Sequence, residues 1–393
     1  MANDNKKYIP ALRFPEFQND GEWLYEYGNV LFDSIVNKNH NSELPILAIT
    51  QENGAIPRDM INYRVSVEDK SIEGYKVVDV GDFIISLRTF QGGIEYSRYK
   101  GICSPAYIVL RKKHDNICDD FYRYYFKTYQ YIQDLNRNLE GIRDGKMVSY
   151  KQFSEIKIPY PTLSEQKKIA DCFVSIDEEI DATKRKFEQL KEHKKGLMQK
   201  LFPAKGKALP ELRFPEFQND GEWIPRPLSD ILNYEQPTPY IVEDDTYKKE
   251  GTPVLTANKG FILGYTDESL GIYNKLPVII FDDFTTDKKY VDFPFKIKSS
   301  AIKLLTLKDE ERDNLRFIFE CMNNIVFEEK EHKRYYISEY QHINIYVPSS
   351  LQEQNQIADT LLSVDKQISE YDKKIKALEH HKKGLMQQLF PKL

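Results

Sequence analysis

Hydrophobic residues recur with a seven-residue repeat in two long stretches of the chain. In the first stretch the steps alternate between four and three once Thr183 and Lys194 are counted, and the apolar positions are Ile169, Phe173, Ile176, Ile180, Phe187, Leu190, Leu197 and Leu201. The second stretch repeats the rhythm 188 residues later, at Ile357, Leu361, Val364, Ile368, Tyr371, Ile375, Leu378, Lys382, Leu385 and Leu389. A period of about 3.5 residues over about five heptads is typical of a left-handed coiled coil. Each stretch is therefore predicted to be one long helix that pairs with another.

The same start and stop signals flank both stretches. Thr162-Leu-Ser-Glu165 and Ser350-Leu-Gln-Glu353 have the pattern of a capping box. In such a box the hydroxyl accepts a bond from an amide near the helix start and the glutamate reaches back to the cap. Leu-Phe-Pro ends both stretches, at Pro203 and Pro391, because proline cannot continue a helix.

A glycine interrupts the last turns of each predicted helix, at Gly196 and Gly384, within the repeated sequence His-Lys-Lys-Gly-Leu-Met-Gln. Glycine inside a helix costs about 1 kcal/mol relative to alanine. One interpretation is that a partner subunit docks closely at both glycines. The alternative is that duplication simply copied them, and the sequence does not decide between the two.

A second repeat precedes each long helix. Residues Leu12–Trp23 are identical to Leu212–Trp223, whereas the blocks that follow, roughly 24–160 and 224–348, show little resemblance to each other. The order is therefore a short motif, a variable block and a long helix, and then the same three again. Duplicated segments therefore flank two blocks of different sequence.

Short apolar, β-branched runs between turn residues predict strands in both variable blocks. These runs lie at 45–50, 76–80, 82–86, 106–110 and 156–159 in the first block, and at 253–256, 277–281, 301–305 and 343–347 in the second. Helical spacing of apolar residues predicts one helix at about 119–139 and another at about 310–327. Each block is predicted to be a small α/β domain whose last strand leads into a long helix.

The predicted fold class is α+β, with two small α/β domains separated by an antiparallel two-helix coiled coil in a pseudo-two-fold internal repeat. The linker at 204–209 is short, so the chain must return after the second domain for both apolar seams to be satisfied. The predicted boundaries are 1–160 for the first domain and 161–203 for the first long helix. The linker and second domain occupy 204–348, and the second long helix occupies 349–393.

Composition limits the location and the ligands of the protein. A chain of 393 residues with 40% hydrophobic content can bury two cores. No apolar run approaches the length of a membrane span and the first residues lack a signal-peptide core, which predicts a cytoplasmic protein with no membrane contact. The net charge of −5 means that any nucleic-acid binding must depend on locally concentrated positive charge.

No catalytic signature is found along the chain. Phosphate-binding glycine loops, nucleophile elbows, zinc-binding Cys-x-x-Cys pairs and methyltransferase motifs are all missing from the sequence. Glu328-Glu-Lys330 is more typical of an exposed charge run than of a nuclease, and Asp282-Asp283 of a turn rather than a magnesium site. We therefore predict no catalytic residue, no cofactor site and no metal site in this chain.

The repeated order, with Glu165-Gln166 and Glu353-Gln354 shortly after strands that end in proline, resembles the DNA specificity subunit of type I restriction-modification enzymes. The resemblance covers essentially the whole chain. Segments similar to the target-recognition domains of that family are 75–83 and 101–107 in the first block, and 264–268 and 289–293 in the second.

This resemblance implies a non-catalytic recognition subunit. Each domain would read one half of a bipartite site in double-stranded DNA, and the long helices would set the spacer and dock partner subunits. Two modification subunits, which bind S-adenosylmethionine, and two restriction subunits, which use ATP and magnesium, would supply adenine methylation and DNA cleavage. The alternative is an assembly scaffold that binds proteins with both domains and does not bind DNA.

Candidate DNA contacts are polar and aromatic side chains just beyond predicted strand ends. Arginine can pair bidentately with guanine, glutamine or asparagine with adenine, and lysine with phosphate. In the first domain the candidates are Arg88, Thr89, Gln91, Arg98, Lys100, Arg143 and Lys146. In the second domain they are Asn258, Lys259, Tyr265, Thr285, Thr286, Lys288 and Lys289. The alternative to DNA contact is that these are ordinary solvated side chains.

Overall fold

A computed structural model describes residues 8–40, 43–61, 69–137, 148–258, 260–328 and 333–391, with the backbone alone for 69–71. The chain divides into two compact units. Unit 1 comprises Met1–Lys184 and Lys373–Leu393, and unit 2 comprises Arg185–Asp372. Both division points fall inside the long helices, so each unit contains part of both helices.

Unit 1 is built on a four-stranded antiparallel sheet in the order β2-β9-β6-β7, supplemented by the strand pairs β1–β10, β3–β4 and β5–β8. The strands are β1 (Leu24–Tyr27), β2 (Phe32–Ile35), β3 (Leu47–Thr50), β4 (Gly54–Pro57), β5 (Lys76–Val78), β6 (Phe83–Ile85), β7 (Glu95–Tyr96), β8 (Gly101–Cys103), β9 (Ile108–Lys112) and β10 (Lys157–Tyr160). The helices are α1 (Gly28–Leu31), α2 (Thr89–Gly92), α3 (Asp119–Tyr125), α4 (Tyr129–Arg137) and α5 (Tyr150–Ser154), with 3₁₀ turns at Pro15–Phe17, Arg58–Met60 and Asp69–Gly74.

Strand β6 is buried on both faces, because successive side chains of a strand point in opposite directions. Phe83 and Ile85 belong to the main aromatic core, whereas Ile84 belongs to a second apolar cluster with Leu47 and Val109. This double burial explains why the sequence of β6 is apolar throughout rather than alternating.

The single helix predicted at about 119–139 is wrong, because two helices occupy that stretch. α3 ends at Tyr125 and α4 begins at Tyr129. Thr128 Oγ1 accepts a hydrogen bond from the amide of Tyr131 at 3.3 Å and donates one to the carbonyl of Tyr125 at 2.7 Å. A threonine hydroxyl that bonds nearby backbone groups competes with helix continuation, which accounts for the break.

Unit 2 is built on a sheet of the same design, in the order β12-β18-β15-β16, with a three-stranded sheet β14-β13-β17 and the pair β11–β19. The strands are β11 (Ile224–Pro227), β12 (Leu232–Glu235), β13 (Thr252–Leu255), β14 (Ile262–Thr266), β15 (Val278–Asp282), β16 (Lys288–Val291), β17 (Lys296–Ile297), β18 (Ile302–Leu307) and β19 (Asn344–Val347). The helices are α7 (Leu228–Ile231) and α8 (Leu315–Asn323), with 3₁₀ turns at Pro215–Phe217, Thr238–Tyr240 and Tyr340–His342.

A strand is present at each of the nine predicted positions, and its ends differ from the predicted ones by at most two residues. The predicted helix at about 310–327 is shorter than expected, because α8 begins only at Leu315. Asn314 precedes it, and its side chain accepts a hydrogen bond from the amide of Phe317 at 2.8 Å. An asparagine cap of this kind sets the start of a helix more firmly than the charged residues before it.

The two long helices are α6 (Leu163–Leu201) and α9 (Leu351–Leu389), and they run antiparallel within each unit. In unit 1, Asp177 pairs with Lys382 and Lys184 with Glu379, so one number rises as the other falls. In unit 2, Lys194 Nζ lies 2.8 Å from Asp365 Oδ1, while Leu201 belongs to the same core cluster as Ile357. The predicted antiparallel pairing is confirmed.

The repeated motif Leu12–Trp23 fastens the start of α6 by an ion pair. Arg13 Nε and Nη2 lie 2.7 and 2.8 Å from the two carboxylate oxygens of Glu165. The identical motif in unit 2 does the same, with Arg213 at 2.8 Å from both oxygens of Glu353. Bidentate pairs of this kind are among the strongest hydrogen-bonded contacts in proteins.

This ion pair corrects half of the capping-box prediction. Thr162 Oγ1 does accept a bond from the amide of Glu165, at 3.4 Å, and Ser350 Oγ does so from Glu353, at 3.3 Å. The glutamates, however, do not reach back to the cap, because each is engaged by the arginine of the short motif. The recurring Glu-Gln pair therefore serves to join the motif to the long helix.

Candidate nucleic-acid interface

The turn between β6 and β7, residues 86–94, carries the first group of candidates. Thr89 Oγ1 accepts a hydrogen bond from the amide of Ser86 at 2.8 Å, and the Thr89 carbonyl accepts one from Gly93, also at 2.8 Å. Thr89 is only 1% exposed, so its hydroxyl holds the turn together rather than facing a ligand. Arg88 and Gln91, in contrast, are exposed at the surface of the same turn.

The backbone of the β6–β7 turn is pressed against the rest of unit 1. A Cβ atom at Gly93 would lie 2.0 Å from the carbonyl oxygen of Phe126, and one at Gly92 would lie 2.7 Å from the side chain of Gln51. Gly93 also has a φ of +79°, which favours glycine. The exposed side chains of Arg88 and Gln91 therefore project from a backbone that has little freedom to move.

Arg98 and Lys100 lie on the connection between β7 and β8, and both are exposed. Lys100 Nζ lies 3.1 Å from Asp79 Oδ1, and the same carboxylate is also paired with Arg111. Partial burial acts to raise the pKa of Asp79, but the hydrogen bonds and charges of Lys100 and Arg111 outweigh it and hold that pKa below its usual value. The charge of Lys100 is thus partly neutralised within the unit.

The turn between β15 and β16, residues 283–287, carries the second group. Asp282 Oδ1 accepts hydrogen bonds from the amides of Phe284 and Thr285, at 2.9 and 3.0 Å. Thr285 is exposed, and its hydroxyl donates to Asn258 Oδ1 at 3.2 Å. The structure therefore brings together two candidates that are far apart in the sequence.

The remaining candidates of unit 2 are less accessible. Thr286 is 9% exposed and has a φ of +52°. Lys288 is half-buried with its ammonium 5.6 Å from the ring centre of Tyr340, and burial lowers its pKa. Tyr265 and Lys289 are half-buried on β14 and β16.

One exposed arginine beside the β15–β16 turn, Arg334, is not among the predicted contacts. The guanidinium carbon of Arg334 lies 5.9 Å from the ring centre of Phe284. Backbone hydrogen bonds from the residues after it hold Arg334 at this turn, and no periodicity or motif in the sequence marks such a contact. The basic pair Lys333-Arg334 between α8 and β19 is the one local signal that could have drawn attention to it.

Three of the predicted contacts, Arg143, Lys146 and Lys259, lie outside the described residues. Gly196 and Gly384 are inside α6 and α9, and an added Cβ atom at either would meet nothing within 4 Å. No described part of the chain therefore requires glycine at these two places. Docking of a partner at the two glycines stays a prediction.

Neither a membrane span nor a metal cluster is found among the described residues. No described helix combines the length and apolar character that crossing a membrane requires. In the same ranges, no three side chains of His, Cys, Asp or Glu come together in a way that could hold a metal ion.

The model of the type I restriction modification DNA specificity domain matches the chain twice, at residues 25–192 and 220–380. The two matches together cover well over half of the sequence. The chain belongs to this DNA specificity family. Each match contains one of the two four-stranded sheets and most of one long helix. The predicted family and the predicted fold class are thereby confirmed.

Individual relatives match the sequence of this chain over shorter stretches than the family model does. The chain is 48% identical over 146 residues to the specificity subunit of the type I restriction enzyme EcoR124I/EcoR124II of Escherichia coli, which covers 35% of this chain and 36% of that protein. It is 32% identical over 139 residues to the MjaVIII specificity subunit of Methanocaldococcus jannaschii, covering 35% and 31%. The chain thus matches about a third of the length of these curated relatives.

One solved structure of the family has a similar fold. The S subunit of a type I restriction-modification system from M. genitalium aligns with a TM-score of 0.65 at 15% identity, covering 98% of this chain and all of that one. At this level of identity the likeness concerns the fold alone.

Proposed function

We propose that this chain is the DNA-binding specificity subunit of a type I restriction-modification complex and is not itself catalytic. Residues 1–160 and 204–348 act as two target-recognition domains, each reading one half of a bipartite site. Residues 161–203 and 349–393 act as spacer helices. Membership of the specificity family supports the role, and the dissimilar sequences of the two blocks support two different half-sites.

The observation that carries this proposal is the position of the two candidate turns. The β6–β7 turn joins the third and fourth strands of the unit 1 sheet, and the β15–β16 turn joins the third and fourth strands of the unit 2 sheet. Candidates chosen independently in each block, Arg88 and Gln91 in one and Thr285 in the other, fall on these equivalent turns. Equivalent turns with different side chains are what two readers of unlike sequences require.

The partners follow from the same role. Two modification subunits dock on the long helices near Gly196 and Gly384 and supply the S-adenosylmethionine site for adenine methylation. Two restriction subunits supply the ATP-dependent, magnesium-requiring cleavage. The net charge of −5 favours this division of labour, since phosphate contacts of a partner would add to the few exposed basic side chains of this chain.

The test is to co-express the chain with its modification subunit and sequence the methylated adenines of the host genome. We expect one asymmetric motif with two specified halves and an unspecified gap. Replacing residues 24–155 with the equivalent block of a relative should change one half of the motif and leave the other intact. A scaffold that does not bind DNA would give no motif, and the purified complex would then show no duplex retention that depends on sequence and salt.

A further inference from the structure

We propose that Arg334 is a base-reading residue of unit 2, which pairs bidentately with a guanine of its half-site, and that Asp283 is the residue that positions it. This inference rests on the proposed function, because it assumes that unit 2 reads DNA. It adds a residue on a separate chain segment to the candidates of the β15–β16 turn.

Asp283 holds the segment that contains Arg334 against the turn. Its carbonyl oxygen accepts a hydrogen bond from the amide of Tyr335 at 2.8 Å, and its Oδ1 accepts one from the amide of Tyr336, also at 2.8 Å. Two bonds to consecutive amides fix both the position and the direction of the backbone at this point. Arg334, directly before them, is placed beside Phe284 as a result.

Asp283 is itself held in the interior by a lysine. Lys303 Nζ lies 3.0 Å from Asp283 Oδ2, both side chains are 1% exposed, and Lys303 also donates to Gln236 at 3.2 Å. A buried ion pair contributes little net stability, because desolvation opposes the attraction between the charges. Its effect here is geometric, since it locks the carboxylate that orients the segment of Arg334. A supporting shell of this kind is what a recognition side chain needs.

The guanidinium of Arg334 is available to a ligand. Three other arginines of the same unit are each paired with a carboxylate: Arg213 with Glu353 at 2.8 Å, Arg226 with Asp313 at 2.6 Å, and Arg316 with Glu320 at 3.2 Å. Within the described ranges no ion pair involves Arg334, and its side chain is exposed. Among the residues that the structure describes, no acid satisfies its hydrogen-bond donors.

The neighbours of Arg334 favour a base over a phosphate. The aromatic ring of Phe284 faces the guanidinium, and a ring contact restricts the orientation of this planar group. Phe284 is followed by Thr285, which is exposed and bonded to Asn258. The planar guanidinium contacts the residue next to this hydroxyl–amide pair, and the three groups together have the donor and acceptor types that read base edges in the major groove. Phosphate binding would require only charge.

The test compares Arg334→Ala and Arg334→Lys with Arg312→Ala in the complex with the modification subunit. Arg312 is another exposed arginine of unit 2 without an ion pair in the described structure, so it controls for the loss of one positive charge. Each complex selects duplexes from a library in which both half-sites are randomised. Unfolding in urea, followed by the fluorescence of Trp223 in a Trp23→Phe background, checks that unit 2 remains folded.

We expect Arg334→Ala to lower the preference for guanine at one position of one half-site by about 10-fold or more. Arg334→Lys should lose the same preference, because lysine keeps the charge but not the planar fork. The other half-site should be unchanged in both, and Arg312→Ala should select the wild-type motif.

Three results would overturn the inference while leaving the proposed function intact. The first is an unchanged motif in both Arg334 variants. The second is a uniform loss of affinity for all duplexes with the motif retained, which would indicate a phosphate contact. The third is full retention of the guanine preference by Arg334→Lys. If the wild-type complex selects no duplex at all, the proposed function itself is wrong.

Discussion

Unit 1 and unit 2 hold equivalent turns by different means. In unit 1 the β6–β7 turn depends on close packing, with Gly93 directly against the carbonyl of Phe126. In unit 2 the β15–β16 turn depends on polar contacts, with Asp283 buried against Lys303. The two sheets share a strand order but not the chemistry that fixes the turn at their edge. The exposed residues of such a turn can therefore differ completely between the units while the sheet below stays the same.

The repeated motifs Leu12–Trp23 and Leu212–Trp223 differ in the hydrogen bonding of their tryptophans. Trp223 Nε1 donates a hydrogen bond to Glu353 Oε1 at 3.3 Å, whereas the Nε1 atom of Trp23 is buried without a hydrogen-bond partner in the described structure. The two motifs are identical in sequence, and both arginines bind their glutamates. Identical sequence therefore gives the same ion pair but not the same environment for the indole.

The largest difference between the units is expected when a buried lysine is removed. Lys303→Ala should lower the free energy of unfolding of unit 2 by about 3–5 kcal/mol, because it leaves the carboxylate of Asp283 buried and unpaired. The fluorescence of Trp223 during urea unfolding, in a Trp23→Phe background, reports this loss. Lys249→Ala, at an exposed lysine of the same unit, is the control.

The matching change in unit 1 is Lys127→Ala. Lys127 pairs with Glu95 at 2.6 Å, but its side chain is 26% exposed, compared with 1% for Lys303. The remaining Glu95 carboxylate is itself only 3% exposed, but Lys127 reaches the surface, so its removal opens a path for water to that carboxylate. Burial also raises the pKa of Glu95, which makes it easier for this carboxylate to take up a proton. The loss should therefore be smaller than in unit 2. An equal loss in both units would show that unit 2 does not depend specially on its buried pair.

Substitutions at a positive-φ residue in each of the two turns should change the free energy of unfolding in opposite directions. Gly93→Ala should destabilise unit 1 by about 2–3 kcal/mol, because the new methyl group meets the Phe126 carbonyl and the φ of +79° is unfavourable for alanine. Thr286→Gly should stabilise unit 2 by up to about 1 kcal/mol, since threonine at a φ of +52° is strained. Urea midpoints measure both changes. A stabilising Gly93→Ala would refute the packing account of the unit 1 turn.

A smaller difference should separate the two tryptophans. Trp223→Phe is expected to cost about 1–2 kcal/mol more than Trp23→Phe, because only Trp223 loses a hydrogen bond to a carboxylate. Both indoles are buried to a similar degree, at 1% and 4% exposure, so the loss of apolar contact should nearly cancel in the comparison. Circular dichroism during urea unfolding provides the measurement. Equal costs would mean that the Trp223–Glu353 bond contributes nothing.

The smallest expected effect is a loss of stability at alkaline pH, which does not occur at neutral pH. Burial raises the pKa of Cys103 in unit 1 to about 12, from an ordinary value of 9.0. A raised pKa in the folded state gives stability that is complete below pH 9 and is lost as the pH rises towards 12. Cys103→Ala should therefore flatten the alkaline decline in the urea midpoint of unit 1. Cys321, buried in unit 2 with a raised pKa, should behave alike, and an unchanged decline in both variants would contradict the expected linkage.

Regular elements were predictable because their signals are local. The heptad pattern, the proline after Leu201 and the apolar runs at 82–86 and 277–281 each depend on residues that are neighbours in the sequence. Both long helices and all nine predicted strands are present for that reason. The break at Thr128 was missed because the helical spacing of apolar residues continues across it, whereas one hydroxyl decides the backbone.

The candidate interface was predictable only in part. Placing candidates beyond strand ends identified Arg88, Gln91 and Thr285, which are exposed, but it also included Thr89, which is buried. Composition cannot separate a threonine that closes a turn from one that faces a ligand, because both occur in the same kind of segment. Arg334 was missed because the next two residues, Tyr335 and Tyr336, hold it at the turn by bonding to Asp283, which lies far away in the sequence.

The sequence alone determined that the chain contains a duplicated frame with two long helices and two unlike contents, because repeats and heptads are properties of residue order. Tertiary structure alone decided what joins the parts, namely Glu165 with Arg13, Glu353 with Arg213, and Asp283 with Lys303. A charged residue has no periodic signal that names its partner. Its role is set only when folding brings the opposite charge within hydrogen-bonding distance and removes the water between them.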